Sequence, residues 1–204
     1  RLHEALSTIE QELANIINDV VKKGGKLIIP AFSLERTQEI VYHLNNLSKA
    51  KKIPEIPVYV DSPLSGNVTE VFRSHPECFD QKVYKEFLEN GENPFGFGKL
   101  TYIRDVEDSK ALNGKSGSMI IISASGMCEH GRILHHLKNN IEDDRNSILI
   151  VGYQGKDTLG RKLQEGVNPV KIFGDFYNVK AKVLTIDAFS AHADRSDLID
   201  YIHK

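Results

Sequence analysis

The chain has 204 residues, of which 40% are hydrophobic and 26% charged, and its formal net charge is −2 at pH 7. Cys78 and Cys128 are too few for a disulfide framework and too far apart for a zinc knuckle. No apolar run approaches the roughly 20 residues of a membrane span. These features predict a cytoplasmic globular protein with no membrane partner, which would bind a polyanion only through local basic patches.

Helix-like and strand-like segments alternate from the start of the chain. Apolar residues at helical spacing predict a first helix that ends at Gly24–Gly25, and KLIIPAF (26–32) predicts a strand buried on both faces. The next helix is predicted over residues 33–47, with Ser33 as its N-cap. The later predicted strands are 57–64, 99–106, 117–127 and 146–154. The later predicted helices are 65–75, 130–141, 157–166, with Asp157 or Thr158 at its start, and 194–204.

This alternation predicts an α/β fold with a doubly wound, mostly parallel, Rossmann-like sheet. The segment VKIFGDFYNVKAKVLTI (170–186) differs, because alternating runs flank Gly174–Asp175. It predicts a C-terminal β-hairpin.

Four loops follow predicted strands, and ligands of such folds bind beyond the carboxyl ends of strands. The loops are PAFSLER, VDSPLSG, SASGMCEHGR and VGYQGKDTLGR, and they share small residues, hydroxyl groups and the start of a helix. Three of them end with an arginine: Arg36, Arg132 and Arg161. Helix N-termini attract anions, so the loops favour a phosphate-rich ligand. The alternative is that their hydroxyls only cap helices and their arginines are solvated.

Several catalytic signatures are absent from the chain. It has no GxGxxG after the first strand, no P-loop, no GxSxG and no HxHxDH or HExxH cluster. His135 and His136 are adjacent on a predicted helix and point about 100° apart, so they are not a chelating pair. Asp61 ends a strand before Ser-Pro, where an aspartate is either a catalytic acid or, as we favour, part of a local turn. The chain alone predicts no metal site.

Five stretches in series resemble the β-CASP ribonucleases, which are nucleases of the metallo-β-lactamase superfamily. They are GKLIIPAFSLERTQEI, VYVDSPLSGNVTEVF, IIISASGMCEHGRILHHL, ILIVGYQGKDTLGRKL and DAFSAHAD. The bacterial and archaeal polyadenylation-nuclease-like branch is the most similar. The resemblance implies that residues 1–188 are the β-CASP domain and that 189–204 return towards a metallo-β-lactamase domain absent from this chain.

The resemblance also implies a function and site residues. The parent is expected to be a zinc-dependent ribonuclease that cleaves RNA endonucleolytically, with 5′-to-3′ exonuclease activity as an open alternative. His192, in DAFSAHAD, corresponds to a family histidine expected to act as general acid. The predicted RNA contacts are Ser33, Arg36, Ser125, Gly126, Met127, Thr158 and Arg161. The zinc ligands of the family are absent here, so this chain alone is expected to bind no zinc and to be inactive.

The implied partners are single-stranded RNA and the metallo-β-lactamase domain of the same protein, and a homodimer is left open. Two other functions also stay open. A non-catalytic β-CASP scaffold subunit would lack the HxHxDH motif upstream. A Rossmann-like nucleotide-binding domain would be stabilised by nucleotides and not by RNA, although the absent glycine fingerprint argues against it.

Overall fold

The computed structural model describes residues 6–81, 83–85, 91, 93–186, 199 and 201–202. Eight strands lie in these ranges: β1 (Lys26–Pro30), β2 (Val58–Asp61), β3 (Leu100–Ile103), β4 (Met119–Ser123), β5 (Ser147–Ile150), β6 (Val170–Ile172), β7 (Asp175–Tyr177) and β8 (Lys182–Thr185). The main helices are α1 (Leu6–Lys22), α2 (Arg36–Lys49), α3 (Pro63–Ser74), α4 (Val106–Gly114), α5 (Arg132–Asn140) and α6 (Leu159–Gln164).

Six of these strands form one sheet in the order β3-β2-β4-β1-β5-β8. Every neighbouring pair in it is parallel, and β6 and β7 form a separate antiparallel hairpin. The predicted α/β class, the parallel sheet and the hairpin are therefore confirmed. The predicted extent of the hairpin is wrong, because β8 leaves it and pairs with β5, with Ser147 opposite Lys182.

Helices cover both faces of the sheet, which explains why its strands are apolar throughout. Leu27 and Ile29 of β1 pack on the face covered by α1 and α2, whereas Ile28 packs on the face covered by α5. All four residues of β2 and of β5 are buried. Strands covered on both sides need no polar alternation, and this is the pattern seen in the sequence.

The strand order reverses between β1 and β4, which lie side by side. The chain passes from β1 to β2 in one direction along the sheet and from β4 to β5 in the other. Helices α2 and α5, which follow β1 and β4, therefore lie on opposite faces of the sheet. In doubly wound folds such a reversal creates a crevice at the carboxyl ends of the two strands beside it. This crevice is the default place for a ligand in the fold.

Two helical segments differ from the predictions or cannot be compared with them in full. Helix α4 was not predicted, and its low amphipathicity explains the omission, since only Ser109 and Leu112 of it are buried. The predicted last helix over 194–204 falls largely outside the described residues. Within this range only residues 199, 201 and 202 are described, and they are helical. Within the described ranges, no helix is both long and apolar enough to cross a membrane.

Candidate nucleic-acid interface at the carboxyl edge

The loops after β1 and β2 contact each other at the carboxyl edge. The hydroxyl oxygens of Ser33 and Ser62 lie 3.2 Å apart, and Ser62 caps α3 by accepting a hydrogen bond from the Ser65 amide. The prediction that Ser33 caps α2 is wrong, because α2 begins at Arg36 after a turn. Glu35 precedes the helix with φ 66° and makes no side-chain cap.

Arg36 is nearly buried, with 8% of its surface exposed. Its guanidinium donates a hydrogen bond to the Glu39 carboxylate. Burial raises the pKa of Glu39, and this outweighs the lowering effect of Arg36. Arg36 also lines a cavity of about 340 Å³ whose walls include Phe72 and Phe95. An RNA phosphate that reached Arg36 would therefore compete with a carboxylate already in place.

The loops after β4 and β5 are joined by three hydrogen bonds. The Gln154 amide donates to the Gly126 carbonyl at 3.0 Å, and the Gly160 N–H donates to the Met127 carbonyl at 3.0 Å. The Leu159 N–H donates to Oε1 of Glu129 at 2.6 Å. The structure thus brings together the predicted SASGM and GYQGKDTLGR motifs. It also places a protein carboxylate at the start of α6, where a phosphate was expected.

The hydroxyls of these two loops make local hydrogen bonds. Oγ of the buried Ser125 accepts from the backbone N–H groups of Glu129 and His130, at 3.1 and 3.3 Å. Thr158, one of the two residues predicted to start this helix, caps α6, because its Oγ1 accepts a hydrogen bond from the Arg161 N–H at 3.2 Å. Both side chains therefore hold loop shape directly, and any role in RNA binding would be additional.

The two pairs of loops meet where Phe32 touches Gly126. A Cβ atom on Gly126 would lie 3.0 Å from the Phe32 ring, so a larger residue here would require Phe32 to shift. Phe32 and, after β5, Tyr153 are exposed, and Met127 is half-buried. The crevice at the strand reversal is therefore bordered by small residues and exposed aromatic rings.

A buried polar network lies beneath this edge, and it was not predicted from the sequence. The carboxylate of Asp61 is fully buried and accepts hydrogen bonds from Ser109 at 2.5 Å, His136 Nε2 at 2.6 Å and Arg132 at 2.8 Å. Arg132 also donates to the Arg104 carbonyl at 2.8 Å. The network joins β2, α4, α5 and the end of β3, and it explains why His136 is buried while His135 is exposed.

The electrostatics of the network favour a structural role for Asp61. Burial acts to raise the pKa of Asp61, but the hydrogen bonds from His136, Ser109 and Arg132 outweigh it and hold the pKa below its ordinary value. A carboxylate that stays ionised and is saturated with donors is a poor general acid at neutral pH. The structure therefore favours a structural role for Asp61, but the predicted local turn is wrong, because the partners of its carboxylate are distant residues.

The remaining predicted groups differ in what the structure says of them. Arg161 is 43% exposed and forms a 2.6 Å ion pair with Glu165. The Cys128 thiol is buried, and burial raises its pKa to about 12, so it is no nucleophile. His192 lies outside the described residues. Its role and the predicted RNA contacts stay predictions.

Metal-binding side chains do not cluster in the part of the chain that the structure describes. Within those ranges, no three His, Cys, Asp or Glu side chains come together to hold a metal ion. The described residues therefore do not by themselves fit a zinc centre.

Sequence reasoning missed the groups that shape these loops. Glu129 and Gln154 lie within the quoted motifs but carry no signal of the bonds that they make. Ser109 lies in the helix that was not predicted. Helical spacing alone could have indicated that Arg132 and His136, four residues apart, share a face of α5.

Comparison with known proteins gives two family matches. The Beta-Casp domain model matches residues 37–163, and the model described as Zn-dependent metallo-hydrolase RNA specificity domain matches residues 177–204. The first match covers more than half of the chain and includes the Asp61 network and the loops after β2, β4 and β5.

Curated relatives match almost the whole chain. Ribonuclease TTHA0252 of Thermus thermophilus is 37% identical over 99% of the chain and 46% of its own length. An RNase J-like protein of Methanocaldococcus jannaschii is 36% identical over 98% of the chain and 45% of its own length. Transcription termination factor FttA of Methanosarcina mazei is 29% identical over 98% of the chain and 32% of its own length. The chain thus spans less than half the length of these relatives.

The loops after β1, β2, β4 and β5, which the sequence comparison with β-CASP nucleases singled out, lie at one edge of a doubly wound sheet. The Beta-Casp match covers the last three of these loops. The chain therefore belongs to the Beta-Casp family.

Proposed function

We propose that this chain is the RNA-binding part of a zinc-dependent ribonuclease, and that it holds single-stranded RNA in the crevice at the carboxyl ends of β1 and β4. The observation that carries the proposal is the strand reversal at this point, bordered by the loops that resemble those of the nucleases. Two relatives are named as ribonuclease and RNase J-like protein, which supports an RNA substrate.

The crevice has features that suit a single strand. Phe32 and Tyr153 are exposed at this edge, and stacking of bases on aromatic side chains is tolerant of sequence. Gly126 has no side chain, so the loop after β1 can approach it closely through Phe32. The hydrogen bonds between the β4 and β5 loops pre-organise this surface, so less conformational entropy is lost when RNA binds.

The predicted RNA contacts divide into two groups in this proposal. Ser33, Ser125, Gly126, Met127 and Thr158 act mainly by shaping the loops, because their polar groups already have protein partners. Arg161 is the most accessible of the predicted cations, and Arg36 would have to release Glu39 first. Arg132 is committed to Asp61 and acts as a positioning residue.

His192 is proposed as the general acid that protonates the leaving oxygen of the cleaved RNA strand. The support is the resemblance of DAFSAHAD to the family motif together with the match over residues 177–204. A histidine can donate a proton near neutral pH because its ordinary pKa lies close to it.

The test is RNA cleavage by the full-length protein with zinc present, wild type against His192→Ala. We expect a loss of about 10²- to 10⁴-fold in cleavage rate, the usual contribution of a general acid, with RNA binding retained. His75→Ala is the matched control, because the His75 side chain is exposed and its ring contacts the exposed carboxylate of Glu77.

The other results have distinct meanings. Unchanged cleavage by His192→Ala would remove this histidine from the reaction and leave RNA binding alone. A wild-type protein that binds RNA without cleaving it would be a scaffold subunit. A protein stabilised by nucleotides and not by RNA would be a nucleotide-binding domain, and the proposed function would be wrong.

A further inference from the structure

The β6–β7 hairpin carries an unusual residue at its tip. Phe173 and Gly174 form a two-residue turn between Ile172 and Asp175, which pair with each other. Both turn residues have positive φ, 52° and 95°. Such turns favour Asn-Gly or Asp-Gly, because a bulky L-residue is strained in the left-handed region. Phe173 is also 52% exposed, so burial does not compensate for its conformation.

Exposed aromatic rings and basic groups alternate around this tip. The Phe173 ring lies 4.7 Å from the His135 ring. On the outer face of the hairpin, Lys171 lies 5.8 Å from the ring of Phe176, which is 70% exposed. Lys138 follows His135 by three residues on α5, so the two share a face of that helix. We call His135, Lys138, Lys171, Phe173 and Phe176 the hairpin platform.

The charge of the platform differs from that of the chain. The chain has a formal net charge of −2, whereas the platform contributes Lys138 and Lys171 and has Asp175 as its neighbour on β7. Accessible rings interleaved with cations suit a strand that offers both bases and phosphates. A purely apolar protein partner would gain nothing from the lysines.

The position of the platform connects it with the crevice. Helix α5 starts at Arg132, which is anchored to Asp61 beneath the carboxyl edge. His135 is three residues further, about 5 Å along the helix axis. The hairpin tip, which contacts His135, therefore lies beside the edge and on the face of the sheet covered by α5.

We propose that the hairpin platform binds bases of single-stranded RNA outside the crevice, as an extension of the RNA track over α5. The strained, exposed Phe173 supplies a ring at the point where the strand leaves the edge, and Lys171 and Lys138 lie beside the phosphates. This inference rests on the proposed function, because it requires that the protein binds RNA.

The experiment compares the affinities of the full-length protein for a long and a short oligouridylate. The short strand fills only the crevice, and the long one also reaches the platform. We expect Phe173→Asn with Phe176→Ser to weaken binding of the long strand about fivefold or more, as loss of a stacked base does, and to leave the short strand unaffected. Lys171→Ala should reduce the salt dependence for the long strand by about one phosphate contact.

The design separates loss of function from loss of fold. Phe173→Asn alone places a favoured residue in the turn, so its Tm should equal or exceed that of wild type while long-strand affinity falls. Val71→Asn and Lys23→Ala are matched controls, because both residues are exposed, Val71 on α3 and Lys23 directly after α1, and both helices pack on the other face of the sheet. We expect neither to change the affinity for either strand.

Two results would overturn the inference. If the wild type and the double variant bind the long strand with equal affinity, the platform lies outside the RNA track and the crevice proposal is unaffected. If, in addition, the double variant no longer self-associates, the hairpin is a protein contact. A wild-type protein that binds neither strand would overturn the proposed function and this inference with it.

Discussion

Two arginine–carboxylate pairs of this domain have similar geometry and different surroundings. Arg132 and Asp61 are 2.8 Å apart, and Arg161 and Glu165 are 2.6 Å apart. Asp61 is fully buried and has two further donors, whereas the side chains of Arg161 and Glu165 are 43% and 51% exposed. Distance alone therefore does not rank these pairs.

An arginine that follows a loop at the carboxyl edge can either stabilise the fold or remain available to a ligand. Both arginines follow a loop at the carboxyl edge, where the sequence favours a phosphate-rich ligand. Burial of Asp61 commits Arg132 to the scaffold, because breaking that pair would leave a charge without a partner in the interior. The Arg161 side chain is exposed to solvent, so replacing its Glu165 partner by a phosphate costs little free energy.

The largest expected effect comes from removing the buried carboxylate. Asp61→Ala should lower the free energy of unfolding by about 3–5 kcal/mol, because Arg132, His136 and Ser109 would lose their shared acceptor in a buried place. Denaturant unfolding of the protein measures this loss. Asp108→Ala, at an exposed position of α4, is the control and should stay within about 0.5 kcal/mol of wild type. A loss no greater than that of the control would contradict the role of the network.

Acid should reveal the same network with a smaller effect. The pKa of Asp61 is lower in the folded state than its ordinary value of 3.8, so its stabilising contribution is present above that value. The contribution disappears as the pH falls below 3.8 and through the folded-state pKa. We expect Asp61→Asn to flatten this part of the curve of unfolding free energy against pH. Parallel curves for the two proteins would show that Asp61 does not titrate as a stabilising group.

The exposed pair should give the smallest change in stability. Arg161→Ala is expected to alter the free energy of unfolding by less than about 0.5 kcal/mol, since exposed i,i+4 pairs contribute little. Its effect should instead appear in RNA binding by the full-length protein, as weaker affinity and a salt dependence reduced by about one phosphate contact.

Glu165→Ala is the matched variant for that prediction. It releases the Arg161 guanidinium without removing it, so RNA affinity should stay the same or rise. If both variants bind RNA as wild type does, Arg161 lies outside the RNA path.

Local patterns were sufficient for most of the secondary structure. Strands such as β1 and β5 are short apolar runs, and they proved to be buried on both faces. Helix α4 and strand β8 were not recognised as separate elements. The first has a weak apolar face, and the second continues an alternating run whose partner, β5, is set by the sheet and not by the preceding hairpin.

The candidate site was predictable only in outline. The four loops could be placed at one edge because parallel strands share the direction of their carboxyl ends. Their internal bonds could not be inferred, as the contact between Glu129 and Leu159 illustrates. The capping role of Thr158 is a local interaction and was predicted, whereas that of Ser33 failed because a turn precedes α2.

The sequence by itself determined the class of the fold, the positions of the loops and the family, because these depend on local periodicity and on contiguous motifs. The tertiary structure alone decided which charged groups are available. Ser109, Arg132 and His136 are 48, 71 and 75 residues from Asp61, and no local pattern links them. The pairing of buried charges depends on which helices and strands pack together in the folded chain. For this reason Arg132 pairs with the buried Asp61, whereas Arg161 stays at the surface.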